Sequence, residues 1–170
     1  MLALILFVMV FAPMLIEARR AAANERAQLA RGGREAPGDV YGSMRVAYPS
    51  AFLVMLVEGA VRGLPPPAVV LTGAALFAAA KALKWWAILE LGPSWTFRVI
   101  TVPRSTLVTS GPYTYCRHPN YVAVIGELVG VAIMTGAWLT GPLATLSFGV
   151  LIRQRLTVEE HALNAINADP

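Results

Sequence analysis

Apolar runs separated by arginine-bearing stretches constrain this chain more than any other feature. They cover Leu2 to Ile16, Val46 to Val61, Ala68 to Leu91, Pro119 to Thr135 and Ala137 to Ile152. Of the 170 residues, 56% are hydrophobic and only 14% are charged, against about a quarter charged in an ordinary soluble domain. With so little polar surface to face water, a bilayer is the expected solvent. A membrane span needs about 20 apolar residues, and several of these runs are shorter, so a helix or two is expected to be interfacial or hairpinned. The expected fold class is all-α integral membrane: one domain over residues 1–170, a bundle of about five transmembrane helices.

The punctuation between the runs supports this reading. The first run lacks a basic n-region and meets Glu17 without a small-residue cleavage site, as expected of a retained helix rather than a cleaved signal. Helix-forming sequence continues to Ala30 and breaks at Gly32-Gly33 and Pro37-Gly38. Pro65 to Pro67 makes a tight turn that can open a helix, Gly92-Pro93 ends one, and Gly136 hinges the last two. Arg19, Arg20, Arg26, Arg31, Arg34 and Arg45 fall between the first two runs. If that stretch is cytoplasmic, alternation places residues 94–117 and 153–170 on the same side and the N-terminus outside, leaving Arg62 alone there. Basic residues placed this way follow positive-inside topology rather than a phosphate-tracking face, so nucleic acid is not an expected partner. The single Cys116 excludes an intramolecular disulfide and multi-cysteine metal sites, and no metal is expected.

One strip breaks the apolar monotony: "GPYTYCRHPNYVAVIGE", residues 111–127. A residue before proline is pushed out of the α region, which makes His118 a boundary and Pro119 the first helical position. The unpaired N–H groups at that end, with Arg117 beside them, form a partly positive mouth. Asn120, Val124 and Glu127 share one helix face, with Glu127 about two turns inside the membrane. Glu127 is read either as a functional group or as a helix–helix partner for Lys81 or Lys84. Those two lysines are expected to snorkel to the interface. Farther on, "RLTVEEHAL" sets Arg155 and Glu159 four residues apart on one helical face. Glu58 and Arg62 have the same spacing and are read as a local ion pair.

Together, "WW" at 85–86, "LGPSWTFRV", "LVTSGPYTYCRHPNY" and "RLTVEE" resemble the isoprenylcysteine carboxyl methyltransferase family of integral membrane enzymes. The resemblance covers about Trp85 through Leu163. The segment "LARGGRE" is also similar to bacterial relatives linked with methylating polyketide lipids. The resemblance implies a helical membrane bundle with a cytoplasmic-side cofactor pocket, and S-adenosylmethionine as cofactor. It implies cofactor contacts from Ser105, Thr106, Leu107, Val108, Tyr113, His118, Pro119, Asn120, Tyr121 and Glu159, with Arg155 facing the acceptor. The catalytic candidates are Arg155 and Glu159, with Glu127 as a candidate base for an acidic hydroxyl. The implied acceptor is lipophilic, a prenylated cysteine or peptide or a polyketide lipid, taken from among membrane lipids. The expected location is a bacterial inner membrane with the site facing the cytoplasm. A sterol-type membrane reductase and a non-catalytic membrane scaffold are the alternatives that similar Arg-His-Pro strips leave open.

Overall fold

The structure, a computed structural model, describes the backbone of residues 2–103 and 107–168 and the side chains of residues 4–103 and 107–162. Five α-helices form among the described residues: α1 (Leu2–Ala30), α2 (Tyr41–Arg62), α3 (Pro67–Leu91), α4 (Pro119–Thr135) and α5 (Thr140–Ala168). Two short strands, β1 (Arg34–Glu35) and β2 (Ile100–Thr101), pair antiparallel with Arg34 opposite Thr101. Ala36 N–H extends the pairing to the Val99 carbonyl.

Helix ends fall where glycine and proline dictate. Pro67 and Pro119 occupy first-turn positions, where a missing N–H costs nothing. Gly136 closes α4 in the left-handed region at φ 67, which a side chain would resist. The apolar run and the helix-forming polar stretch to Ala30 are one continuous helix that ends where the sequence placed the break. The polar half of α1 has its own task. Asn24 donates to the carbonyls of Gly92 and Trp95, and Gln28 to that of Pro93. These bonds satisfy carbonyls left open where α3 stops.

The tightest packing joins α3 to α4. A Cβ on Gly73 would lie 2.3 Å from the Met134 backbone nitrogen, and one on Gly130 2.7 Å from that of Phe77. Small residues at such crossings let helices approach closely, which is how packing is achieved where lipid offers no hydrophobic drive. Around this pair, Val10, Phe52, Met55, Leu128, Val131 and Met134 form a fully buried core. Glu58 of α2 accepts from the N–H groups of Leu139 and Thr140 and from the Thr140 hydroxyl, capping α5 from another helix.

Much of the outer surface of the helices is apolar. Leu53, Val57, Leu71, Leu89, Leu146 and Val150 are all exposed. By length and composition, Tyr41–Arg62 and Pro67–Ser94 could cross a membrane, while Pro119–Thr135 is a shorter apolar helix.

Candidate active site

One cavity of about 810 Å³ runs between α1, α2, α4 and α5, within the usual range of about 300–1,000 Å³ for ligand sites. Its two ends differ in chemistry. Phe7, Phe11, Met14, Met44 and Phe148 line an apolar end, and Tyr113, His118, Asn120, Tyr121, Arg155 and Glu159 a polar one.

Local sequence explains how the polar end is built. Gly111 has φ 59 and sits against Glu90, whose carboxylate accepts from the Ser110 hydroxyl. This pins the 3-10 turn Gly111–Thr114 that carries Tyr113. His118 lies outside the helix, with φ −134 and ψ 61, as its proline neighbour requires. One turn on, Tyr121 meets α5: its hydroxyl donates to Glu159 and accepts from Arg155 Nε at 2.7 Å. Arg155 Nε also reaches Glu159 at 3.3 Å, as the spacing of four predicts. His118 Nδ1 stands 3.5 Å from the other Glu159 oxygen, and its ring stacks on Tyr121.

Burial disfavours the charged form of Glu159, but hydrogen bonds from His118 and Tyr121 and the Arg155 guanidinium outweigh it, holding the carboxyl below the usual range. Tyr113 is pushed well up, first by burial and then by the Glu159 charge, so its phenol stays protonated.

Two buried atoms at this end have no hydrogen-bond partner among the described residues: His118 Nε2 and Asn120 Oδ1. With the proton on Nδ1, a neutral His118 ring offers Nε2 as an acceptor. Both residues line the cavity that holds the Glu159 carboxylate, a setting that suits a ligand rich in N–H groups and positive charge. Buried groups of this kind are costly without a partner.

The remaining sequence-derived candidates divide. Val108 and the exposed Leu107 line the cavity, and Pro119 is fully buried at the helix start. Ser105 and Thr106 lie outside the described residues. Glu127 is fully buried and does not line the cavity, but it belongs to a charge cluster whose Glu17, Tyr48 and Lys84 do. It takes the Tyr48 hydroxyl and faces Lys81 at 2.9 Å and Lys84 at 3.5 Å. Glu17 pairs with the same two ammoniums at 2.7 Å each. Of the two readings of Glu127, the geometry matches the lysine partner. Lys81 and Lys84 do not snorkel: their side chains are 12% and 3% exposed, because Glu17 and Glu127 supply inside the bundle what water would supply outside.

Asp39 escaped the sequence reading. Its side chain is 2% exposed and bonds Arg155 Nη1 at 3.0 Å. The only signal was an aspartate just ahead of a helix, where a side chain commonly caps; Asp39 does accept from Tyr41 N–H.

Residues 72–165 match the family described as "Isoprenylcysteine carboxyl methyltransferase (ICMT) family". The chain is similar to protein YpbQ of Bacillus subtilis (strain 168), described as uncharacterized: 31% identical over 112 residues, 66% of this chain and 67% of that one. An uncharacterized protein of Haemophilus influenzae is 24% identical over 142 residues, 83% of each chain. The nickel-cobalt-cadmium resistance protein NccN of Alcaligenes xylosoxydans xylosoxydans is 35% identical over 75 residues, 44% of this chain and 35% of its own. No solved structure matches. The match spans more than half the chain and contains the whole Tyr113–Glu159 cluster, so the protein belongs to the isoprenylcysteine carboxyl methyltransferase family, a family of membrane-associated methyltransferases.

Proposed function

We propose that the protein is an S-adenosylmethionine-dependent O-methyltransferase that acts on the carboxylate or acidic hydroxyl of a lipophilic acceptor, prenylcysteine-like or a polyketide lipid. One observation carries the reading: His118, whose Nδ1 stands 3.5 Å from Glu159, and Asn120 each hold an unpartnered buried acceptor and line, with Glu159, a cavity that continues into an apolar groove. S-adenosylmethionine is a net cation with an ammonium and an exocyclic amine, so this set of acceptors fits it. When bound, it supplies an electrophilic methyl group on a sulfonium.

The chain's own residues then supply position rather than covalent chemistry, and alignment is what such a displacement needs most. Glu159, His118 and Asn120 hold the amine groups, and the protonated Tyr113 phenol offers a hydrogen bond without adding charge. Arg155 spends Nε and Nη1 on Tyr121, Glu159 and Asp39. That leaves Nη2 to orient the acceptor's oxygen. Phe7, Phe11, Met14 and Phe148 would take the hydrocarbon part. The setting we propose is a bacterial inner membrane, the polar end of the cavity opening to the cytoplasm. Arg31, Arg45 and Arg117 around the cavity support that side by the positive-inside rule.

Calorimetry with S-adenosylhomocysteine tests the proposal. Binding should be saturable in the wild type and lost in Tyr113→Ala and Glu159→Ala. Binding of NADPH instead would point to a reductase, and binding of neither would refute an enzyme of either kind. Labelled-methyl transfer into a lipid extract, with mass spectrometry of the product, identifies the acceptor. A carboxylate acceptor should give a rate that is flat through neutral pH, and a phenol or enol a rate that climbs with pH.

A further inference from the structure

We infer that Asp39 is a positioning residue for methyl transfer: it fixes the plane of the Arg155 guanidinium that meets the acceptor. The inference rests on the methyltransferase reading above and adds to it a residue outside the family match at 72–165.

The geometry is specific. Asp39 and Arg155 are 116 residues apart in sequence, yet Asp39 Oδ1 accepts from Arg155 Nη1 at 3.0 Å, with side chains 2% and 6% exposed. The same carboxylate accepts from Tyr41 N–H at 3.0 Å and, through Oδ2, from Val99 N–H at 2.8 Å. Three donors from three separate segments therefore converge on one carboxylate. The backbone bonds anchor Asp39 to the start of α2 and to the strand-pairing loop, neither of which can swing freely. Asp39 is thus a fixed point against which a long side chain is held.

A guanidinium held at one nitrogen still rotates about its long stem. Held at Nε by Tyr121 and at Nη1 by Asp39, it has its plane set, because the fork is rigid. The direction of Nη2 then follows. Glu159 alone cannot do this, since it bonds the same Nε as Tyr121. The arrangement also ties the α1–α2 half, which lines the apolar groove, to the α5 residue that orients the reacting oxygen.

Asparagine cannot replace the carboxylate. Its side chain offers one acceptor oxygen, so its NH2 group would face either Val99 N–H or the Arg155–Tyr41 pair, donor against donor. The test is a double-mutant cycle with Asp39→Asn and Arg155→Ala, read as transfer of labelled methyl to the acceptor, alongside S-adenosylhomocysteine affinity. Asp39→Asn alone should lower turnover by about 10²-fold, the scale of a misplaced positioning contact. It should leave S-adenosylhomocysteine affinity unchanged, because Glu159 keeps His118 and Tyr121. In the Arg155→Ala background the same substitution should cost nothing further. An equal loss in both backgrounds, or loss of S-adenosylhomocysteine binding in step with turnover, overturns the inference and leaves the methyltransferase reading standing. A wild-type protein that neither binds S-adenosylhomocysteine nor transfers methyl overturns both.

Discussion

Glu127→Gln should unfold this protein at a lower temperature rather than stop its chemistry. Glu17, Glu127, Lys81 and Lys84 form a neutral quartet, with nitrogen–oxygen distances of 2.7, 2.7, 2.9 and 3.5 Å and no side chain more than 12% exposed. Replacing one carboxylate by an amide leaves two buried ammoniums facing Glu17 alone, and it weakens the partner of the Tyr48 hydroxyl. Removing one member of a buried pair costs about 3–5 kcal/mol, mostly for the charge left behind. At about 2–4 °C per kcal/mol for a chain of this size, the midpoint should fall by roughly 6–20 °C. The assay is thermal unfolding of the purified protein in detergent, with methyl transfer measured per folded molecule at a permissive temperature. Adding Lys81→Met restores neutrality and should recover much of the midpoint. An unchanged midpoint with turnover down by about 10²-fold would refute this account and make Glu127 the catalytic base.

Three further outcomes follow from the same geometry. Arg155→Lys keeps the charge but loses the fork that reaches Tyr121 and Asp39 together; turnover should fall by about 10²-fold with S-adenosylhomocysteine affinity preserved. Glu159, with its folded-state pKa lowered, contributes stability that is present above the unfolded value of about 4.3 and lost as pH falls through the lowered one. Acidification below about pH 4.3 should therefore lower the wild-type melting temperature more steeply than that of Glu159→Gln, with the two curves parallel above about pH 6. Gly73→Ala puts a methyl 2.3 Å from the Met134 backbone nitrogen, and should destabilise by about 1–3 kcal/mol in the same melts.

Helix boundaries were readable because their causes are local. Pro67, Gly92, Pro119 and Gly136 stop or start helices through their own backbone restrictions, and all four do so here. The Arg155–Glu159 pair was equally readable, since one helical turn brings such residues together whatever surrounds them. The end of α1 at Ala30 was readable for the same reason, from helix-forming residues up to Gly32-Gly33. A change from apolar to polar composition marks a change of environment, and a helix can pass through both.

Partner choice among distant charges was readable only in part: the sequence offered Lys81 or Lys84 to Glu127, and it named neither Glu17 nor Asp39 as a partner. Composition and spacing determined that this chain forms apolar helices, where they end, and that a polar strip meets a second polar helix face. Which carboxylate meets which cation depended on how helices rotate and cross, and glycine contacts such as Gly73 against Met134 set those angles. A crossing shifted by one turn moves a side chain by about 5 Å, enough to break any bond described here. Only the tertiary structure could therefore choose between the two readings of Glu127, add Glu17 to Lys81 and Lys84, and bring Asp39 to Arg155.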